Sequence, residues 1–321
     1  MRIFNFIVIY FILILIINCE EYKYISNILP EYPSNKVLPF CIFKSDCYFL
    51  NLKWKPYDQK IAFICYKYTQ NGKDVICYID PDGNNFEVID MDYDGILKIS
   101  SFDFNTNGDF IVFNDDFHLY IVSSKGGQYR MIYEDFQYNK NYSPIWSSDG
   151  EWIYFLRSNG YSSVIWKIRP DGTESSKVDI YTGDFGYINK IELSIDSKYL
   201  LMDCNDKNGS CGFYIVIVSV DDSKRWVVFK SEKLGNRGGP RMPCFSPDNN
   251  WVCFTDFIDL WIISSKGGRY LYKLDDSYNN NNLYPDWSHN GDWIVFTRYV
   301  GYPIYSNCIF KIKVPSEFLS G

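Results

Sequence analysis

Two histidines, His118 and His289, are the only imidazoles in a chain of 321 residues. With no third histidine and no CxxC pair, the sequence offers no zinc set. His289 stands in a polar turn whose counterparts elsewhere are Ser148, Pro247 and Pro56, and His118 precedes a strand whose counterpart begins at Asp259. Both read as turn or strand-start residues. No GxSxG motif or Ser/His/Asp order supports a nucleophilic hydrolase. The acids Asp149, Asp196, Asp248 and Asp292 recur at turn positions, one to each stretch of chain. A glycosidase needs two carboxyls held roughly 5–9.5 Å apart around one bond. Acids spread over separate repeats do not meet that need, so a structural role is expected. SSKGG, at 123–127 and again at 264–268, joins strand to strand, so it makes no phosphate cradle of the strand-to-helix kind. The expectation is therefore no catalytic set, no cofactor and no metal.

Ten cysteines are many for a reducing cytosol. Apart from Cys19 and Cys308 they fall into near pairs, Cys41/Cys47, Cys65/Cys77, Cys204/Cys211 and Cys244/Cys253. Cys65 and Cys77 flank Asn71-Gly72, and Cys204 and Cys211 flank Asn208-Gly209, the dipeptides of tight hairpins. Each pair has two open readings, a disulfide or two small buried apolar side chains. Cys308 is left over and is expected in the core.

Composition narrows the partners. Net charge is −7, which leaves no broad basic surface for nucleic acid. The most basic stretch, Arg225–Arg241, reads as a solvated loop, with contact to anionic partners as the other reading. Tyr- and Asn-rich connections at 133–144 and 275–285 suit peptide or sugar recognition, although the whole chain drifts toward these residues. The counts of 28 Tyr, 24 Phe and 9 Trp against 5 Met favour strands.

The elements that must hold these residues come from a repeat. A ten-residue block recurs six times: WKPYDQKIAF, FNTNGDFIVF, WSSDGEWIYF, LSIDSKYLLM, FSPDNNWVCF and WSHNGDWIVF. It opens on Trp54, Phe104, Trp146, Leu193, Phe245 and Trp287, at intervals of 42 to 52 residues, the length of a four-stranded propeller blade. Each block reads as an aromatic or leucine anchor, a polar turn and an apolar strand, and a further strand–turn–strand element follows. LYIVSSKGGQYRMIY and LWIISSKGGRYLYKL lie 141 residues apart, as do Phe104 and Phe245, so one half of the ring echoes the other. The expected fold is all-β, a six-bladed β-propeller of four-stranded antiparallel blades. Too few residues follow Lys313 for a last outer strand. One of two apolar runs, Val37–Phe43 or Cys47–Leu52, should supply it, closing the ring with an N-terminal strand.

Residues 1–18 carry one basic residue, Arg2, before an apolar run from Phe6 to Ile17, the pattern of an export signal. Cys19 follows directly, which resembles the acylation site of bacterial lipoproteins, with Asn18 standing where a small residue is usual. An uncleaved anchor and an ordinary secreted protein are the other readings. All three place the remainder outside the cytoplasm. The expected layout is a signal at 1–18, a tether at 19–35 and a single propeller at 36–321.

The block WSxDGxWIxF, followed by a strand and a DG or GG turn, resembles the repeat of the TolB-like, WD-repeat-like propellers over about residues 50–315. WSSDGEWIYF with IRPDGT carries the resemblance best. It implies an exported six-bladed ring that serves as a scaffold for protein contacts at the cell envelope. TolB carries an α/β domain before its ring, and only some 30 residues separate Cys19 from the first block here. The expected function is a monomeric, lipid-anchored propeller on the periplasmic or cell-surface side that binds a protein or peptide. The alternative is a carbohydrate- or lactone-processing enzyme with its site in the central channel.

Overall fold

A strand sandwiched between two neighbouring sheets is dry on both faces, so its sequence can be apolar without alternation. The second strands of the repeats read this way, as IAFICY, IYFLRS and YLLMDCND do. The computed structural model describes residues 39–45, 47–66, 72–92, 98–134, 140–180, 185–206, 212–221, 224–231, 239–268, 270–274, 281–300 and 306–319. The export segment, Cys19, the tether and Cys211 lie outside the described residues, as do parts of the basic stretch and of the Tyr/Asn-rich connections.

The described strands form six four-stranded antiparallel sheets. The first strand, β1 (Phe40–Ser45), belongs to the last blade. Blade 1 is β2 (Tyr48–Trp54), β3 (Ile61–Tyr66), β4 (Val75–Ile79) and β5 (Glu87–Val88). Blade 2 is β6 (Ser101–Phe104), β7 (Phe110–Asn114), β8 (Leu119–Ser123) and β9 (Arg130–Tyr133). Blade 3 is β10 (Lys140–Trp146), β11 (Ile153–Ser158), β12 (Ser163–Ile168) and β13 (Ser176–Lys177). Blade 4 is β14 (Phe185–Leu193), β15 (Tyr199–Asp206), β16 (Phe213–Ser219) and β17 (Arg225–Ser231). Blade 5 is β18 (Arg241–Phe245), β19 (Trp251–Thr255), β20 (Leu260–Ser264) and β21 (Leu271–Lys273). Blade 6 is β22 (Asn281–Trp287), β23 (Trp293–Val300) and β24 (Ser306–Lys313), completed by β1 on its outer edge. The inner strands touch in a closed cycle from β2 through β6, β10, β14, β18 and β22 back to β2. The fold is thus a six-bladed propeller closed by its N-terminal strand.

Of the two runs that could have closed the ring, Phe40–Ser45 does so, because Tyr48–Trp54 is needed as the inner strand that delivers Trp54. Outer strands are short and exposed where they meet water, as at Glu87-Val88 and Ser176-Lys177, which blunts open edges.

Packing is distributed among six seams rather than gathered at one centre. Each seam lies between adjacent blades, and each anchor packs on the blade before its own. Trp54 meets Val295 and Ile309 of blade 6, Phe104 meets Ile64 and Tyr78 of blade 1, and Trp287 joins Cys253 and Ile262 of blade 5.

The turn chemistry repeats with the anchors. In blade 3, Ser147 Oγ donates to Asp149 at 2.6 Å and accepts the Trp152 N–H at 2.9 Å. Ser194 with Asp196 and Ser246 with Asp248 do the same in blades 4 and 5. In blade 6 the acid's place is taken by Asn290, which accepts from Ser288 at 2.8 Å. Asp292 therefore falls two positions out of register with the repeated acids among which the sequence seemed to place it.

The glycines of the outer turns answer to a neighbour. Gly83 has φ +87°, and a Cβ there would lie 2.2 Å from the carbonyl oxygen of Ile42 on β1. Gly126 stands the same way against Asp90 of blade 1. Gly72, at φ +73°, has open space around it. Gly72→Ala is expected to lose about 1 kcal/mol from left-handed strain alone. Gly83→Ala should lose about 2 kcal/mol more, because a backbone carbonyl must move. Denaturant unfolding of the two variants checks this, and equal losses would contradict the described seam.

Candidate functional site at the channel mouth

Each inner strand ends on its anchor, and the residue just before the anchor points toward the next blade and the channel. Those residues are Lys53, Asp103, Ile145, Glu192, Cys244 and Asp286. Ile145 and Cys244 enter apolar seams. The other four meet one another. Lys53 Nζ donates to the two Glu192 oxygens at 2.8 and 3.0 Å, and lies 3.6 Å from Asp103 and 3.8 Å from Asp286. Lys190 lies 3.5 Å from Glu192 Oε2, one of the two oxygens that Lys53 also bonds. Blades 1 and 4 are opposite members of a six-blade ring, so the Lys53–Glu192 contact closes across the axis. It plugs the channel.

The flanking acids also join neighbouring blades. Asp286 accepts the Trp54 N–H at 2.7 Å, and Asp103 accepts the Trp146 N–H at 2.9 Å. A buried carboxylate that takes a backbone donor and an ammonium satisfies groups that would otherwise be costly to bury.

Burial and neighbouring charge split the titration of this group. Burial alone would lower the Lys53 ammonium, but Glu192, Asp103 and Asp286 outweigh it and hold the group well above its usual value. Burial would raise Glu192, but Lys53 and Lys190 hold it below the usual carboxylate range. For Asp103 burial wins over the pull of Lys53, and its carboxyl is raised. Asp286 is pushed up to about 7 by burial and by the Glu192 charge, against the pull of Lys53.

Above this plug lies a cavity of about 680 Å³, lined by the ends of all six inner strands and their first turns. Its walls include all six anchors. Trp146 and Trp287 donate their indole N–H groups to Gly150 and Gly291, at 3.2 and 2.8 Å. Blade 1 has the turn KPYDQK in place of the glycine turn, and the buried Trp54 indole N–H is left without an acceptor. The rim is stitched by polar bonds from blade to blade. Thr106 donates to the Ser148 carbonyl at 2.7 Å, the Ser148 N–H to Ser197 at 2.7 Å, and the Ile195 N–H to Asn249 at 3.1 Å. Two large apolar side chains stand out from it, Tyr57 at 82% exposure and Ile195 at 62%. They sit on opposite blades. Tyr57 has φ +68°, a strained conformation for a bulky residue, at a position where it presents its ring to solvent.

His289 also lines the cavity, and burial with the Lys53 charge lowers its pKa. His118 lies apart in blade 2, 3.0 Å from Asp115. Asp149, Asp196 and Asp248 serve their own turns and do not converge. Among the described residues, no group of three or more His, Cys, Asp and Glu side chains is arranged to hold a metal ion. What could have identified the plug in the sequence is a charge directly before an anchor, at four of six repeats.

The eight described cysteines are free thiols. Cys244 and Cys253 face each other as a cross-strand pair, whereas across the β3–β4 ladder Cys65 pairs with Val75 and Cys77 with Phe63. Cys41 lies within β1, and Cys47 lies beyond its end, directly before β2.

No protein-family model and no curated protein matches this sequence. Solved structures do. An oligogalacturonate lyase from Vibrio parahaemolyticus superposes with a TM-score of 0.58 at 11% identity, over 90% of this chain and 97% of the lyase. TolB from Acinetobacter baumannii gives 0.56 at 17% identity over 70% of this chain, which spans about half (54%) of that protein. An oligogalacturonate lyase in complex with manganese gives 0.53 at 13% identity, over 81% and 75% of the two chains. At these identities the likeness is one of fold, a propeller related to the TolB and WD40 type, and it takes in TolB and lyases alike.

The plug yields a pH prediction. Asp286 is protonated in the folded state up to about pH 7 but ionised in the unfolded chain above about pH 4. The stability it contributes is thus fully present below about pH 4 and is lost as pH rises to about 7. Thermal unfolding between pH 5 and 8 should show Tm falling with pH, and Asp286→Asn should flatten that slope. Lys53→Met, which strands three acids, should lose about 3–5 kcal/mol near neutrality, and less in mild acid. Parallel slopes in all three proteins would refute the assignment.

Proposed function

We propose that this chain is a non-catalytic binding module, exported and lipid-anchored through Cys19, which takes a peptide segment of a partner protein at the channel mouth. The observation that carries the reading is the division of labour along the axis. The charged groups at the bottom are committed to one another and to backbone donors. The mouth above them offers aromatic walls, a polar rim and two exposed apolar side chains, Tyr57 and Ile195, on opposite blades. Apolar anchors with scattered hydrogen-bonding groups suit an extended peptide. The likeness to TolB supports the same reading, and the net charge of −7 keeps nucleic acid out of the list of partners.

One observation favours a second reading. The Asp286 carboxyl, raised to about 7 beside the ionised Glu192, has the proton affinity of a general acid, and lyases share the fold. Selection of an arrayed peptide library on the purified protein separates the two. Peptides should be retained, and the double substitution Tyr57→Ala with Ile195→Ala should weaken their binding about 10-fold or more with Tm unchanged. If no peptide is selected and oligosaccharide turnover is found that Asp286→Asn abolishes, the enzyme reading replaces this one.

The anchor is tested separately. In a bacterial host fed an alkyne fatty acid, the wild-type protein should carry the label and Cys19→Ala should not. An unlabelled wild-type protein would reject the lipid anchor while leaving the peptide site standing.

A further inference from the structure

The strand ladders single out one pair of thiols. Across β3–β4, Cys65 stands opposite Val75 and Cys77 opposite Phe63. Across β1–β24, Cys41 stands opposite Phe310 and Cys308 opposite Lys44. Cys204 stands opposite Tyr214 on one side and Ile188 on the other. Among the described residues only blade 5 sets two cysteines in register, where Cys244 on β18 is the ladder partner of Cys253 on β19. Phe245 and Val252 continue the register beside them, so the pair sits in a regular stretch of ladder. Directly opposed residues of an antiparallel pair have Cα atoms about 4.5–5.5 Å apart. A disulfide needs roughly 4.4–6.8 Å. Both side chains leave the sheet on the same face, since both belong to the cluster between blades 5 and 6. Trp287, Ile294 and Phe296 of blade 6 share that cluster, and Cys244 and Cys253 are 1% and 0% exposed.

We propose that Cys244 and Cys253 form a disulfide across the inner hairpin of blade 5, made by exchange with a low-molecular-weight disulfide such as glutathione disulfide while the chain folds, and sealed when blade 6 docks. The structure holds the pair as thiols, the reduced reactants of this exchange. One thiol gives up its proton, its thiolate attacks a sulfur of glutathione disulfide, and one glutathione leaves as the thiolate. The second cysteine then gives up its proton and attacks the protein sulfur of the mixed disulfide, and the second glutathione leaves. Two electrons pass from the protein thiols to glutathione disulfide, and the two released protons go to two molecules of glutathione.

The order of events follows from burial. The two cysteines are nine positions apart on one hairpin, so they can meet before any blade docks on another. In the finished ring a reagent of glutathione's size has no path to either sulfur. The Cys253 thiol beside it and burial also hold the Cys244 thiol well above its usual value, which keeps thiolate scarce in the folded state. The cover that excludes an oxidant before the bond is made excludes a reductant afterwards. On the export route proposed above, the chain folds in a compartment where such bonds persist.

The purified protein should be reduced and unfolded in urea, then refolded beside glutathione disulfide, alkylated, and cleaved by chymotrypsin after Phe245 and Trp251 without reduction. The fragments carrying Cys244 and Cys253 are expected to stay joined, and to resist dithiothreitol added to the folded protein until urea is present. The reduced protein, given glutathione disulfide only after folding, is expected to keep both thiols. Alkylation of both cysteines after oxidative refolding would overturn the proposal, as would either of them joined to another cysteine, Cys211 included. Ready oxidation of the pair in the folded protein would overturn the assignment of the bond to the folding chain.

Discussion

The ladder between Phe40–Ser45 and Ser306–Lys313 is the contact on which the ring depends. Each blade buries its faces against two neighbours, and no blade has a core of its own. β2 packs on β22, β23 and β24 at the inner part of the seam between blades 6 and 1, and β1, on the outer edge of blade 6, extends that seam outward. There it brings Ile42 and Phe43 against a cluster containing Phe49, Phe63 and Ile79 of blade 1. Phe43 stacks on Phe86 with ring centroids 5.2 Å apart, so the closing strand also covers the outer part of blade 1. Gly83 belongs to the same constraint, because its missing side chain is what lets the Ile42 carbonyl approach. Without β1 one sheet edge opens and an apolar face is exposed together, which is why closure matters more than any single strand pairing inside a blade.

Closure in turn determines what happens at the axis. Four charged side chains from blades 1, 2, 4 and 6 meet there only because the inner strands complete a circle. The meeting is favourable because it is self-satisfying: one ammonium is shared by three carboxylates, two of which also hold backbone N–H groups of the next blade. A buried ion pair adds little net stability over an apolar plug, but loss of one partner is severe. Such a group fixes register and closure. The aromatic mouth lies above it, walled by the six anchors.

The half-ring echo is visible in hydrogen bonds as well as in letters. Asn141 and Asn282, 141 residues apart, are both fully buried, and each donates to the carbonyl of the preceding blade's turn, at Phe117 and Ile258. The copies then diverge. Arg298 donates to Asn282 at 2.8 Å, whereas its counterpart Arg157 lies over the Trp166 ring at 4.8 Å, and the side-chain amide oxygen of Asn141 is left without a partner. Duplicated sequence preserved the backbone while the polar detail changed.

Blade number, strand order and anchor positions could be read from the chain because each depends on chemistry within about ten residues. A serine, a turn acid and a tryptophan satisfy one another locally, and apolar runs mark the strands that both neighbours will cover. The contents of the channel could not be read that way. Lys53 and Glu192 are 139 residues apart, and nothing near either residue names the other. The same holds for the closing strand, where Phe40 pairs with Lys311 although the two are 271 positions apart. An extended strand carries close residues away from each other, and a closed ring brings its two ends together. The sequence by itself determined six units and the local geometry of each. Only the circle decided which charges plug the axis and which rings line the mouth, because those contacts join segments whose sole connection is the closure of the ring.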